Sequence, residues 1–314
     1  MKSEKHNSGH SWLKNSASTF SRSLTLLFFI FILSSCTQED TIGAGENLIE
    51  TEYSVETSEM YHHLTTSNFI RDIVNHPAFI GFGELLLPRD NNSGYYDTEQ
   101  EKQEDLTKES TGIFFFRGKP GAPFAIVCPG GGFSYVGSLH EGFPLAQRIS
   151  ELGLNALVIR YRIGSEGYAT ADLAAAIAYI FRNAETLGVD TKDYSLWGGS
   201  AGARMAGNIA LNGVSAYGGG DLPKPATAVI AYTGQSSYAS DFSPAFITVA
   251  ANDWIANVNT VERRVENLKK AGVDVEYRRY QSAGHGFGLG TETDAEGWVD
   301  LAVQFWQRHI EVPR

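Results

Sequence analysis

Four short stretches of this sequence carry residue types whose spacing fits nucleophilic chemistry at an acyl carbon. In Gly198-Gly199-Ser200-Ala201-Gly202 a serine stands among small residues, after the β-rich run 194–197 and ahead of a helical run from Ala201. A strand, a sharp turn and a helix in that order lift a hydroxyl above a sheet, and the small neighbours let the flanking chains close in. Glycines ahead of a helix also suit a phosphate-cradling loop. No Lys follows these glycines, however, and no G-x-x-x-x-G-K-[ST] pattern occurs in the chain. Ser200 is therefore the candidate nucleophile.

Attack on an acyl carbon creates an oxyanion, which needs preorganised N–H donors. Pro129-Gly130-Gly131-Gly132-Phe133 follows the apolar run 124–128, and glycines at such a place expose their amides without Cβ obstruction. Gly131 and Gly132, with Ala201 beside the nucleophile, are the candidate oxyanion donors. Asp253 stands just past the run 245–250, where open parallel sheets gather their reactive groups. An Asp there could equally serve as a helix N-cap. His285 lies between Gly284 and Gly286 on a loop, and histidine suits proton transfer near neutral pH. The other histidines, His140 among them, lack a comparable setting. Taken in order, Ser200, Asp253 and His285 form one catalytic set: nucleophile, orienting acid and base. No metal or other cofactor is expected, since His-rich ligand spacing is missing from the sequence.

These residues need a scaffold. From Ile113 onward short β-rich runs alternate with longer helical ones, the pattern of a mostly parallel sheet with helices on both faces. Strands are expected at 113–117, 124–128, 156–161, 194–197, 226–231, 245–250 and 275–280. Apolar spacing of three to four residues predicts helices at 143–152, 171–187, 201–212, 257–271 and 294–310. The Gly-rich stretch 212–225 reads as a turn-rich insertion that could cover the site.

The chain has 314 residues, 42% of them hydrophobic, enough for a full-sized core. Its formal net charge of -11 argues against a nucleic-acid partner. At the N-terminus, Lys2, Lys5, Lys14 and Arg22 precede an apolar stretch from Leu24 to Leu33, too short to span a bilayer. Leu33-Ser34-Ser35-Cys36 resembles the lipobox of bacterial lipoproteins. That resemblance implies a signal peptide over 1–35, a lipidated Cys36, and a lipid anchor in the bacterial cell envelope as the only membrane contact. Residues 36–58 then read as a flexible tether and 59–112 as a front segment and acidic loop packed on the domain edge. Residues 113–314 form the catalytic domain. Cys128, which ends an apolar run, reads as a small buried hydrophobe.

The glycine loop resembles the HGGG loop of lipases and esterases, with Pro129 in place of the usual His. With the serine turn, Tyr161-Arg162, Asp172 and Gly284-His285-Gly286-Phe287, the chain from about Ile113 to His309 resembles α/β-hydrolase esterases, in particular bacterial acetyl-xylan-esterase-like carboxylesterases. This implies the α/β-hydrolase fold and an ester substrate, such as an acylated oligo- or polysaccharide losing short acyl groups. Asp172 reads as structural, holding a helix start. Two other readings stand beside it: a prolyl-oligopeptidase-like peptidase, for which the front segment is too short to hold a propeller, and a sugar-binding lipoprotein without catalysis.

Overall fold

The computed structural model of the protein describes residues 84–86, 103–108 and 111–310. The expected signal peptide, Cys36 and the tether lie outside the described residues. Eight strands among them form one sheet: β1 Glu84–Leu86, β2 Gly112–Phe116, β3 Pro123–Cys128, β4 Asn155–Arg160, β5 Asp190–Gly199, β6 Thr227–Ala231, β7 Ala245–Ala250 and β8 Val275–Tyr280. Their spatial order is β1-β2-β4-β3-β5-β6-β7-β8. β2 runs antiparallel to β1 and β4, and every pair from β4 to β8 is parallel. The central strands are covered on both faces, so they read as continuous apolar runs rather than alternating ones. In β3, Phe124, Ala125 and Ile126 are fully buried. Each large side chain buried this way stabilises the fold by about 1.5–3 kcal/mol.

The helices are α1 Phe143–Glu151, α2 Glu166–Arg182, the single turn α3 Ala184–Leu187, α4 Ala201–Asn212, α5 Val258–Lys270 and α6 Trp298–His309. They divide between the two faces. On one, Arg148 of α1 forms a two-pronged pair with Asp300 of α6, at 2.8 and 2.7 Å. On the other, Arg204 and Asn208 of α4 reach Glu166 at the start of α2. This is the α/β-hydrolase fold, a largely parallel sheet between two helical layers.

Several sequence expectations needed correction. The run 171–187 is not one helix: α2 begins at Glu166, where Ser165 Oγ accepts the Gly167 N–H, and ends where the Asn183 amide bonds Tyr179 O. Asp172 therefore lies inside α2 and holds no helix start. Its carboxylate accepts the Arg162 N–H at 2.7 Å and pairs with the Arg162 guanidinium at 2.7 Å, anchoring the chain just after β4. α6 starts at Trp298 rather than Asp294, because the Asp294 carboxylate is engaged by the Gln281 and Ser282 amides. β5 runs back to Asp190 through a polar stretch that its neighbour β3 pairs across an irregular register.

The stretch 212–225 does not cover the serine. It follows the far end of α4, a 12-residue helix and so about 18 Å long, that starts beside Ser200. There Pro223 O accepts the Tyr194 hydroxyl, at the sheet edge opposite the nucleophile.

Candidate active site

Ser200 stands between β5 and α4 with φ 51° and ψ -112°. This backbone conformation is strained for a residue with a side chain, and strain of this kind persists only where the surroundings impose it. Two features impose it here. The Ser200 N–H donates to Ala231 O at the end of β6, at 3.0 Å. Gly202 presses so closely on the end of β3 that a Cβ would lie 1.8 Å from Cys128 O. The small residues of the serine motif thus allow the turn to seat against the strand that carries the glycine loop.

The structure brings Ser200, His285 and Asp253 together, although 85 residues separate the first two in sequence. His285 Nε2 lies 2.9 Å from Ser200 Oγ, while Nδ1 lies 2.9 and 3.0 Å from the two Asp253 carboxylate oxygens. A carboxylate on Nδ1 fixes a proton there, which leaves Nε2 free to accept from the serine hydroxyl. The Asp253 side chain is fully buried and that of His285 nearly so. Asp253 Oδ1 also accepts the N–H of Ile255 and of Ala256, at 2.8 and 2.7 Å. The helix cap is made by another residue, Asn257, whose side chain accepts from the first amides of α5.

Gly131 and Gly132 stand in the loop after β3 with φ 133° and 61°. The Gly131 carbonyl is taken by the Ser134 and Tyr135 amides. The amides of Gly131 and Gly132 have no backbone acceptor among the described residues. Ala201 is the first residue of α4, where a helix leaves N–H groups without intrahelical partners. The loop is held from below by the Tyr161 hydroxyl, which donates to Pro129 O at 2.8 Å. Cys128 at its root is fully buried, and burial pushes its thiol pKa well up, as suits a packing role.

Sequence reasoning missed four supporting residues. Asn252 Oδ1 accepts the Gly284 N–H at 2.8 Å and steadies the histidine loop. The Tyr232 ring meets the His285 ring edge-on, 5.3 Å between centroids. His140 Nε2 lies 2.7 Å from Gly286 O, and its neighbour Glu141 is buried behind the glycine loop. Only the placement of Asn252 beside Asp253 gave any signal. His140-Glu141 ahead of an apolar helix looks like a solvated turn.

The chain is similar to known esterases in sequence and fold. The BD-FAE family model matches residues 117–222, which include the glycine loop and the serine turn. The acetylxylan esterase of Xylanibacter ruminicola is 21% identical over 235 residues, 64% of this chain and 48% of that protein. Esterase LipQ of Mycobacterium tuberculosis is 34% identical over 94 residues, 29% of this chain and 22% of that one. The chain thus spans about half the length of the first relative and less of the second. Among solved structures, the acetyl ester-xyloside bifunctional hydrolase from Caldicellulosiruptor lactoaceticus superposes with a TM-score of 0.60 at 19% identity, over 71% of this chain and 97% of that one. The carboxylesterase Cest-2923 from Lactobacillus plantarum does so with a TM-score of 0.56 at 20% identity, over 65% and 95%. By sheet order, serine turn and matched segment, this chain has the α/β-hydrolase fold and is similar to acetyl-xylan-esterase-like carboxylesterases.

Proposed function

We propose that the protein is a carboxylic-ester hydrolase working through Ser200, His285 and Asp253, and that it removes short acyl groups, acetyl above all, from carbohydrate. The observation that carries the reading is the hydrogen-bonded chain from Ser200 Oγ through His285 to Asp253. Ser200 Oγ adds to the acyl carbon as its proton passes to His285 Nε2, and the carbonyl electron pair moves onto the oxygen. Gly131, Gly132 and Ala201 offer N–H groups to that oxyanion. The C–O bond to the alcohol then breaks, and His285 returns the proton to the leaving oxygen. Water, deprotonated by the same imidazole, releases the acid from the acyl-enzyme.

The acetyl and carbohydrate parts of the reading draw support from the acetylxylan esterase and the acetyl ester-xyloside hydrolase among its relatives. The experiment is turnover of p-nitrophenyl acetate beside longer-chain esters, acetylated xylan fragments and a prolyl-peptide anilide. Acetyl release from both the nitrophenyl ester and the xylan fragments is expected, with the anilide left intact. A preference for long acyl chains would overturn the acetyl part, and no ester turnover at all would overturn the whole.

We further propose, from the sequence around Cys36, that the protein is lipid-anchored in the bacterial envelope. Mass spectrometry of the mature N-terminus tests it: a diacylated or triacylated Cys36 is expected, and an unmodified chain reading through that residue would refute it.

A further inference from the structure

Glu141 is a carboxyl in an unusual place. It sits on a single π-helical turn, Ser138–Gly142, and is 8% exposed. No Lys or Arg pairs with it among the described residues. Burying a carboxyl away from a cation is costly, and burial holds this one above the usual carboxylate range, against the pull of the Gly130 N–H, His140, His285 and the Tyr232 hydroxyl. An apolar side chain would fill the same space at lower cost, so packing alone does not account for it.

Its surroundings do. Glu141 Oε2 accepts the Gly130 N–H at 2.7 Å, in the residue just ahead of the candidate oxyanion donors. A Cβ built on Gly199, beside the nucleophile, would lie 2.5 Å from the same oxygen and 2.5 Å from the Tyr232 hydroxyl. A Cβ on Gly286, beside the histidine, would lie 3.4 Å from Glu141 Oε1. One carboxyl therefore adjoins the backbone of the glycine loop, the serine turn and the histidine loop. The same π turn sends a second side chain, His140, to the Gly286 carbonyl. The turn is itself tied to the glycine loop, since the Gly137 N–H donates to Gly130 O at 2.9 Å.

We propose that Glu141 is a positioning residue: by accepting the Gly130 N–H it fixes the direction in which the following Gly131 and Gly132 amides face Ser200. A loop amide displaced by about 1 Å can cost a hundredfold in rate. The role is that of an acceptor, which an amide oxygen can fill, and not that of a charge.

The proposal rests on the serine-hydrolase reading, and its test separates the two. E141Q, which keeps an acceptor, and E141M, which fills the volume without one, are compared with wild type. Three quantities are read: kcat and KM on p-nitrophenyl acetate, the pH profile of kcat/KM, and affinity for a trifluoromethyl ketone. The ketone takes the Ser200 oxygen onto its carbonyl carbon, passes the serine proton to His285, and leaves its own oxygen as an oxyanion. E141M is expected to lose about 10- to 100-fold in kcat with KM within about threefold, and to lose ketone affinity by a similar factor. E141Q is expected to recover most of both losses, with the acid limb of its profile unmoved.

An E141M enzyme with full kcat and full ketone affinity overturns the proposal. So does an E141Q as impaired as E141M with a shifted acid limb, which would mark Glu141 as a charge acting on His285. If wild type itself neither turns over the ester nor binds the ketone, the hydrolase reading fails first. An active wild type beside a fully active E141M removes only the role given to Glu141.

Discussion

Gly202 and Cys128 approach so closely that a Cβ on the glycine would sit 1.8 Å from the Cys128 carbonyl oxygen and 2.8 Å from that of Pro129. Both obstacles are backbone, at the end of a central strand, and neither can move without disturbing the glycine loop. G202A is expected to fail to fold or to melt far below wild type. G132A makes the control: its φ of 61° costs something, but nothing lies within 4 Å of the added carbon. It should stay folded, with a loss of about 1–2 kcal/mol in thermal or denaturant unfolding.

Removing either end of the Ser200–His285 bond should abolish turnover without unfolding the chain. S200A and H285A are each expected to lose about 10³-fold or more in kcat while keeping wild-type circular dichroism. On the proposed mechanism the two act as a unit, so the double variant should be hardly worse than either single one. Losses that multiplied in the double variant would separate their roles.

Asp253 has two sets of partners, the His285 ring and the Ile255 and Ala256 amides, whose effects can be separated. D253N keeps an oxygen for the Ile255 and Ala256 amides but turns an N–H donor toward His285, which favours the wrong imidazole tautomer. It should fold normally and lose about 10²- to 10⁴-fold in kcat. D253A should lose the rate and also stability, since the buried Ala256 amide is left without an acceptor at about 1–3 kcal/mol. Melting curves set beside kcat distinguish the two variants.

The Arg162–Asp172 pair lies mostly out of solvent, with side chains 13% and 8% exposed. D172A removes the two-pronged partner of this guanidinium, which keeps the Asp105 carboxylate at 3.5 Å and the Tyr168 ring at 5.0 Å. A loss of about 1–3 kcal/mol in urea unfolding is expected. A change below 1 kcal/mol would mean that the chain after β4 is held by other contacts.

Asp300 offers a pH test. Its hydrogen bonds to Arg148 hold its carboxyl below the ordinary carboxylate range. A folded-state value lowered in this way contributes stability above the unfolded value and loses it as pH falls through the folded one. D300N should therefore melt below wild type at neutral pH, and the two curves should converge in acid. Both side chains are over a third exposed, so screening keeps the neutral-pH difference below about 1 kcal/mol. A gap that persisted in strong acid would assign it to packing.

The sequence alone determined the alternation of strands and helices, because continuous apolar runs and helical spacing are local signals. It also determined which serine, acid, histidine and glycines to bring forward, because their motifs are short and their order matches the fold. Its errors fell where local signals compete. Asp172 looked like a helix start until Ser165 proved to cap α2 five residues earlier in the structure than the apolar spacing suggested. Asp253 could have been a cap, and only the folded chain shows its carboxylate facing His285 while Asn257 caps α5. Distances such as the 2.9 Å between Ser200 and His285 depend on loops that meet at the C-terminal edge of the sheet, and no run of neighbouring residues encodes them. Glu141 is the clearest case. As a residue type in a polar turn it reads as solvated, and it becomes a buried acceptor only because three separate loops close over it.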